Sequence, residues 1–337
     1  MTAEPMNSTA PPSLYGLSFL WLEITEKCNL ECSHCYADSG PRRELRGKMA
    51  LEDWYRAIRE SADLGCRQMQ FIGGEPTLHP DLIRMIECAS ACGYTFIEVF
   101  TNATVLSDSL LRVLVTSGVH VATSFYSDDP DIHDGITGRS GSFWRTAAGI
   151  KRLIASGLQV RAGFIETREN VGHGERAWLY LNDLGVYDIK IDFQRGVGRG
   201  AQALYSPEPM SQLCGECWKG KLCVTPSGAA YPCVFSRFAQ VGTARNGIRQ
   251  IVDGEELMAF RANSARMSGG SSSAQFRGDP GSVNPLPGCS PMCVPCGPDK
   301  FNKCDPAAPC SPQTRCMPAC SPGSPCSPDT PCGPTSR

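Results

Sequence analysis

Residues 17–193 alternate between short runs rich in β-branched and aromatic residues and longer segments with apolar residues at helical spacing. Glycines such as Gly65, Gly93 and Gly118 follow the helical segments, and glycine commonly ends a helix. The predicted strands are 17–25, 68–72, 94–101, 119–125, 158–165 and 186–193, and the predicted helices are 51–64, 80–91, 108–117, 143–156 and 175–184. Such alternation predicts parallel strands joined by right-handed crossovers. Because eight strands are needed to close a TIM barrel, we predict an α/β fold with a partial, TIM-like (βα)6 barrel.

Three cysteines directly follow the first predicted strand, in the segment Cys28-Asn-Leu-Glu-Cys32-Ser-His-Cys35. In parallel α/β folds, catalytic and binding groups gather at the carboxyl ends of the strands. Three thiolates on one short loop can bind three irons of a four-iron cube, which leaves the fourth iron open to an exogenous ligand. The alternative is an ordinary thiol loop, and the spacing and position favour the iron–sulfur site.

Further polar groups follow other predicted strands at the same edge. Gly73-Gly74-Glu75-Pro76 comes after the second strand, where glycine allows close approach of a ligand and Glu75 offers a carboxylate for an ammonium group. Ser124 ends the fourth strand and could bond a sugar hydroxyl, and Arg195 follows the sixth and could pair with a carboxylate. The competing interpretations are a tight turn for the Gly73–Pro76 segment, a strand-end turn at Ser124 and a solvated surface arginine at Arg195.

Composition narrows the class of protein. The net charge of −2 disfavours nucleic acid as the main partner, and no apolar run approaches the ~20 residues of a membrane span. Residues 1–13 lack the basic start and apolar core of a signal peptide, so we expect a cytoplasmic protein with a short disordered lead, 1–16. In that reducing compartment, the 19 cysteines indicate metal or cluster thiolates rather than disulfides.

The C-terminal part contains thirteen of these cysteines, between Cys214 and Cys332. A Pro-Ser-Gly turn between Cys223 and Cys233 predicts a hairpin with a thiolate at either end, which suits a cluster or a zinc ion. Residues 247–266 are predicted to be helical, and 269–288 to be a flexible loop rich in Ser, Gly and Pro. The segment from Asp305 onward repeats Pro-Cys and Cys-Pro units and has almost no apolar residues, so we predict disorder there. The predicted domains are a barrel at 17–200, a cysteine-rich module at 210–320 and a low-complexity tail at 321–337.

Cys28, Cys32 and Cys35, together with the Gly-Gly-Glu-Pro segment at 73–76, resemble the motifs of the radical SAM enzymes. The resemblance covers residues 17–200 and implies that the three cysteines hold a [4Fe–4S] cluster. Its open iron would chelate S-adenosylmethionine, and reductive cleavage would give a 5′-deoxyadenosyl radical that abstracts hydrogen from a substrate. The segment 124–143 resembles that of members with additional clusters.

The same resemblance implies the residues that bind S-adenosylmethionine. His34 would pack near the adenine, Glu75 would contact the methionyl ammonium, and Ser124 would contact the ribose. Arg195 would pair with the methionyl carboxylate, and Gly73 and Gly74 belong to the same site. The sequence indicates no particular catalytic acid or base.

The segment Cys217-x5-Cys223-x9-Cys233 is similar to the start of a SPASM domain, which carries auxiliary [4Fe–4S] clusters. The resemblance assigns one cluster to Cys217, Cys223, Cys233 and Cys310, and a second to Cys293, Cys296, Cys304 and one of Cys316 or Cys320. Zinc is the rival at these sites, and a neighbouring cluster domain favours iron–sulfur clusters. Cys214 is either a spare thiol or a substitute ligand. Cys66, Cys88 and Cys92 are expected to be small buried residues.

Radical SAM enzymes with SPASM domains commonly modify peptides, and so the resemblance implies a maturase of ribosomally made precursor peptides. Its product would be a thioether, a side-chain cross-link or an epimerised residue, and an external flavodoxin- or ferredoxin-type protein would donate electrons. The short lead implies that a leader peptide is recognised by a separate protein or by the barrel surface. The alternatives are an anaerobic sulfatase-type maturase that forms formylglycine and a non-catalytic iron–sulfur electron-transfer protein.

Overall fold

A computed structural model of the chain describes residues 16–203 and 208–269. Within them, the strands are β1 (Phe19–Thr25), β2 (Gln68–Gly73), β3 (Phe96–Phe100), β4 (His120–Phe125), β5 (Val160–Glu166), β6 (Asp188–Phe193), β7 (Lys221–Val224), β8 (Ala229–Tyr231) and β9 (Gly242–Thr243). They form one sheet in the order β6-β5-β4-β3-β2-β1-β7-β8-β9. Neighbouring strands from β6 to β1 are parallel, which confirms the predicted partial barrel.

The helices of the described residues are α1 (Leu51–Asp63), α2 (Leu82–Ala91), α3 (Asp108–Thr116), α4 (Pro130–Thr137), α5 (Ser142–Ala155), α6 (Gly174–Asp183), α7 (Gly200–Ala203), α8 (Ile248–Val252) and α9 (Glu255–Gly269). One large hydrophobic core joins the sheet to the helices, and it includes Trp54 and Ile58 of α1, Phe71 of β2 and Ile150 of α5. Burial of such apolar side chains is the main stabilising contribution to a fold of this kind. None of the helices in the described part of the chain is long and apolar enough to cross a membrane.

The structure differs from the predicted helices at two places. Helix α4 was not predicted as a helix, although Asp129-Pro130 is a favourable start: the Asp129 side chain accepts a hydrogen bond from the Asp131 N–H (2.9 Å). The single helix predicted over 247–266 was wrong, because α8 stops before Asp253 and α9 begins at Glu255. Gly254 lies at this break, where its low helix propensity favours interruption of the helix.

The predicted hairpin is confirmed as β7 and β8, with Gly228 in the turn at φ 87°. Strand β7 also pairs in parallel with β1, so that Cys223 lies opposite Trp21. The hairpin therefore extends the barrel sheet and brings the cysteines at its two ends to the β1 edge. The tail and the later part of the predicted cysteine module lie outside the described residues, as does the lead at 1–15. The predicted ligands outside them are Cys293, Cys296, Cys304, Cys310, Cys316 and Cys320.

Candidate functional site

The cysteine loop leaves β1 and is held in place by α4. The backbone N–H of Glu31 donates to the Thr137 carbonyl (3.0 Å), and that of Ser33 donates to the Ile136 carbonyl (2.9 Å). Both acceptors lie at the C-terminal end of α4, where helix carbonyls lack partners within the helix. The helix that sequence reasoning missed thus fixes the position of the loop.

Arg199 holds the same loop from the other side. Its Nε donates to the Cys32 carbonyl (2.9 Å), its Nη2 to the Ser39 carbonyl (2.7 Å) and its backbone N–H to the Cys35 carbonyl (2.9 Å). Gly198 makes this approach feasible, because a Cβ atom there would lie 2.5 Å from the Cys35 carbonyl oxygen. The guanidinium fork matches several carbonyls at once, which an ammonium group does less well.

The three predicted thiols meet on this loop and are partly buried. Burial raises the pKa of Cys28 to about 12, with further contributions from the charges of Glu75 and Cys35. Burial also raises the pKa of Cys32, and neighbouring Cys35 and Cys28 add to the effect, so the sulfurs lie close together. Thiolates in such a place need a compensating cation.

Two hydrogen-bond donors face the sulfur of Cys28. The N–H of Leu30 lies 3.4 Å from it and the Nδ2 of Asn102 lies 3.8 Å from it. Donors of this kind stabilise a thiolate and tune the potential of an iron–sulfur cluster. Among the described residues, no three ligand side chains are already in metal-binding geometry, so binding of a metal would rearrange the cysteine side chains.

Glu75 lies beneath this loop and is fully buried. Its carboxylate accepts hydrogen bonds from Thr77 N (3.0 Å), Thr77 Oγ1 (2.7 Å), Thr101 Oγ1 (2.6 Å) and Asn102 N (2.7 Å). Burial raises the pKa of Glu75, and these hydrogen bonds oppose the rise. Three of these bonds end on Oε1 and one ends on Oε2, so Oε2 has room for a further donor, and contact with a methionyl ammonium stays a prediction.

The two glycines before Glu75 pack against the backbone of the loop. A Cβ atom at Gly74 would lie 2.2 Å from the Lys27 carbonyl oxygen, and one at Gly73 would lie 2.6 Å from that of Thr25. Gly73 also has φ 126°, which side chains rarely allow. The predicted approach to a ligand remains untested, and the close approach seen here is to protein.

His34 and Ser124 lie on either side of Tyr126. The His34 ring meets the Tyr126 ring edge-on, with centroids 4.9 Å apart, and the Tyr126 hydroxyl hydrogen-bonds the side chains of Ser124 and Cys32. Burial lowers the pKa of His34 to about 4, so the ring is neutral at pH 7. Its Nδ1 has no partner among the described residues. Their predicted contacts with adenine and ribose stay predictions.

Arg195 is engaged by protein groups and is mostly buried. Its Nη2 donates to Asp192 Oδ1 (2.7 Å), its Nη1 to the Gln212 carbonyl (3.2 Å), and its guanidinium lies over the Phe235 ring at 5.5 Å. Asp192 thus occupies one edge of the fork that was predicted to bind a ligand carboxylate. The pairing of Arg195 with S-adenosylmethionine remains a prediction.

A second group of thiols gathers beside β1. Cys217 and Cys233 are buried with their sulfurs 3.3 Å apart, and Cys223 is buried with its sulfur 3.6 Å from Glu23 Oε1. The partly buried Cys214 packs against Cys217 and Cys233. The structure therefore brings Cys217 and Cys233 into contact and places Cys223 on β7, while their role as auxiliary ligands stays a prediction.

The remaining described cysteines pack against the core of the barrel. Cys66 is fully buried, as predicted, whereas Cys88 and Cys92 are only partly buried beside it.

Sequence reasoning assigned no role to Asn102, Arg199 or Tyr126. Asn102 follows the third strand at the carboxyl edge, which is the same signal that identified Glu75. Arg199 lies four residues after Arg195 in the same loop, and nothing in the sequence distinguished their roles. Tyr126 follows Ser124 at the end of β4.

Comparisons with known proteins agree with this geometry. Residues 22–175 match the model of the radical SAM superfamily. The chain is 28% identical over 192 residues to the antilisterial bacteriocin subtilosin biosynthesis protein AlbA of Bacillus subtilis, covering 56% of this chain and 42% of that protein. It is 29% identical over 185 residues to the PqqA peptide cyclase of Gluconobacter oxydans, covering 54% of this chain and 50% of the cyclase.

Solved structures show the same fold. SuiB of Streptococcus suis bound to S-adenosylmethionine superposes with a TM-score of 0.62 at 15% identity, covering 74% of this chain and 68% of SuiB. SuiB bound to the precursor peptide SuiA has a TM-score of 0.60 at 14% identity, covering 74% of this chain and 67% of SuiB. The chain spans half or less of the length of AlbA and the cyclase. Residues 22–175 thus match the radical SAM superfamily in sequence, and the fold is that of the SuiB structures.

Proposed function

We propose that this protein is a radical SAM maturase that abstracts hydrogen from a residue of a ribosomally made precursor peptide. The observation that carries the proposal is the loop bearing Cys28, Cys32 and Cys35, which α4 and Arg199 hold at the carboxyl edge of the sheet. The expected product is a thioether, a side-chain cross-link or an epimerised residue. A soluble flavodoxin- or ferredoxin-type protein is the proposed electron donor.

The three thiols fit a [4Fe–4S] cluster by the chemistry of their surroundings. Burial disfavours the ionisation of Cys28 and Cys32, and the positive charge of iron would offset that cost. The Leu30 and Asn102 donors would then hydrogen-bond the Cys28 thiolate. When bound, the cluster and S-adenosylmethionine supply a 5′-deoxyadenosyl radical as the hydrogen-abstracting species.

The rest of the chemistry assigned to this chain is binding and orientation. Glu75 fixes Thr101 and Asn102 beside the loop through two of its four hydrogen bonds. The neutral His34 ring and the Tyr126 ring next to it offer apolar surfaces to an adenine. We propose that S-adenosylmethionine is bound by the residues His34, Gly73, Gly74, Glu75, Ser124 and Arg195.

Auxiliary clusters form part of the same proposal. One would use Cys217, Cys223, Cys233 and the downstream Cys310, and the other would use Cys293, Cys296, Cys304 and one of Cys316 or Cys320. Such clusters would take up the electron left on a product radical or bind a substrate thiolate. The matched relatives support a peptide as the substrate class, because one is named a peptide cyclase and SuiB was solved with a precursor peptide. A separate leader-binding protein is the proposed partner for substrate capture.

The test is anaerobic reconstitution with iron and sulfide, followed by S-adenosylmethionine and dithionite. We expect 5′-deoxyadenosine by mass spectrometry, and a mass or stereochemical change in a precursor peptide encoded beside this protein and co-expressed with it. Cys32→Ala should abolish both, whereas Cys66→Ala, which removes a buried thiol away from the loop, should retain both.

Two outcomes would contradict the proposal. Formation of no 5′-deoxyadenosine by a protein that has bound iron would leave only the electron-transfer interpretation. Formation of 5′-deoxyadenosine with an unmodified peptide, but with formylglycine in a co-expressed sulfatase, would establish the sulfatase-type alternative.

A further inference from the structure

A fourth thiol belongs to the group beside β1, and the comparisons assign no role to it. Cys214 and Cys217 form a Cys-x-x-Cys segment, Cys214-Gly215-Glu216-Cys217, that begins just after a short 3₁₀ turn at Pro209–Gln212. Gly215 has φ 77°, a conformation that glycine adopts without strain and that turns the chain back between the two cysteines. This spacing is common in four-thiolate metal sites.

Two sulfurs of the group are in contact, and the other two thiols lie nearby. The Cys217 and Cys233 sulfurs are 3.3 Å apart, and Cys214 packs against this pair. Cys223 lies on β7 and pairs across the hairpin with Tyr231, two residues before Cys233. The four thiols come from three places in the sequence: the Cys-x-x-Cys segment, strand β7 and the end of the hairpin.

The surroundings suit a buried cluster with a net negative charge. An apolar shell covers the group, formed by Trp21, Met210, Phe235 and Phe260. Such a shell excludes water and, with hydrogen bonds to sulfur, sets the potential of a cluster.

Positive charge is also available at this site. The positive charges of Lys221 and Arg195 lie near Cys214. Arg237 lies near Cys223, where it also pairs with Glu23, whose Oε1 is 3.6 Å from the Cys223 sulfur. Four thiolates around a cube with two positive charges leave a net charge of about −2, which nearby cations stabilise.

We propose that Cys214, Cys217, Cys223 and Cys233 together hold one auxiliary [4Fe–4S] cluster, with Cys214 as the fourth ligand. Cys310, to which the family pattern gives that place, is then not required. Loading takes up two Fe²⁺, two Fe³⁺ and four sulfides and releases the four thiol protons, and the Cys217 and Cys233 sulfurs separate to hold the cube. The assignment rests on the auxiliary-cluster part of the proposed function, and it is tested without the Cys28–Cys35 loop cluster, so its failure leaves the proposed peptide chemistry untouched.

The experiment uses the full chain with Cys28, Cys32 and Cys35 replaced by Ala, so that the loop contributes no cluster. In this background all nine cysteines after Cys233 are also changed to Ala, namely Cys289, Cys293, Cys296, Cys304, Cys310, Cys316, Cys320, Cys326 and Cys332. We call the resulting protein the tail-substituted variant. After anaerobic reconstitution with Fe²⁺, Fe³⁺ and sulfide, the iron, zinc and acid-labile sulfide contents are measured per chain. The reduced protein is examined by electron paramagnetic resonance.

We expect the tail-substituted variant to hold about four irons and four sulfides per chain, the content of one cube. Adding Cys214→Ala should lower the iron content at least several-fold or give the signal of a three-iron cluster. Adding Cys92→Ala, a partly buried thiol of the barrel, is the matched control and should change neither. Circular dichroism of each variant separates loss of a ligand from loss of fold, and Cys214→Ser provides a second, smaller change.

Loss of the cluster from the tail-substituted variant overturns the proposal whatever Cys214→Ala does, because a downstream cysteine would then be required. A full cluster in the folded tail-substituted variant with Cys214→Ala overturns it as well. Zinc without acid-labile sulfide would replace the cluster by a tetrahedral four-thiolate site and would also overturn it.

Discussion

Arg199 is the residue on which the position of the cysteine loop depends most. Its side chain is mostly buried and donates to the carbonyls of Cys32 and Ser39, which lie on either side of Cys35. Arg199→Ala would leave both carbonyls without these donors, so we expect a loss of about 2–4 kcal/mol in the free energy of unfolding. Because the carbonyl of a cluster ligand is released, we also expect the reconstituted protein to lose iron to a chelator several-fold faster.

The matched control is Arg152→Ala. Arg152 is more exposed and pairs with Asp108 at the surface, an interaction that typically contributes less than about 1 kcal/mol. Arg199→Lys should fall between the two, since an ammonium group can keep one of the carbonyls but not the whole set. Equal iron loss from the Arg199→Ala and Arg152→Ala proteins would show that Arg199 does not position the loop.

The sequence could place cysteines and strand ends at one edge, but it could not pair Arg199 with the loop. Cys28, Cys32 and Cys35 could be identified because their ligand spacing is local. Arg199 is separated by 160 or more residues from the carbonyls of Cys32 and Ser39 that it binds. Arg195, in the same loop, has the same side chain and could have been chosen equally well from the sequence. Such long-range hydrogen bonds depend on the packed fold rather than on any local pattern.

Helix α4 acts on the site as an element, because its last carbonyls bind the N–H groups of the cysteine loop. Its first turn is capped by Asp129, which accepts from the N–H groups of Asp131 (2.9 Å) and Ile132 (3.4 Å). Asp129→Ala should lower the free energy of unfolding by about 1 kcal/mol. Because this helix is short, we also expect faster iron loss from the loop, measured as chelation of the reconstituted protein.

Ser107→Ala is the control for Asp129→Ala. Ser107 caps α3 in the same way, with its hydroxyl accepting from the Leu110 N–H (3.1 Å), and the loop does not rest on α3. Both substitutions should lower stability by a similar amount, but only Asp129→Ala should speed iron loss. If Ser107→Ala speeds iron loss equally, general destabilisation rather than α4 controls the loop.

Elements with a clear local pattern were predicted well, and the failures have physical causes. The six parallel strands and the Ser107 cap follow from periodicity and capping chemistry. Helix α4 has only eight residues, too short for its apolar period to be distinguished from a loop. The hairpin was predicted from its turn, but its parallel pairing with β1 could not be, because the sequence does not state which sheet edge a hairpin joins.

At the scale of the whole molecule, a buried ion pair joins the barrel to the hairpin segment. Arg237 Nη2 bonds Glu23 of β1, and the same guanidinium lies over the rings of Tyr36 (5.8 Å) and Tyr231 (5.2 Å). Tyr36 directly follows Cys35, and Glu23 Oε1 lies 3.6 Å from the Cys223 sulfur. The two cysteine groups are therefore connected through a single set of charged and aromatic contacts.

Removing one partner of this pair should be costly, because the other charge is left buried. We expect Arg237→Leu and Glu23→Leu each to lower the free energy of unfolding by about 3–5 kcal/mol, and the double substitution to cost less than the sum of the two. Urea unfolding of the four proteins in the cycle measures this coupling. The reconstituted single variants should also shift the midpoint potential of the cluster at Cys223, since the charge next to its ligand changes. Additive losses in stability together with an unchanged potential would mean that this ion pair does not couple the barrel to the hairpin segment, which would then rest on the β1–β7 pairing and apolar packing.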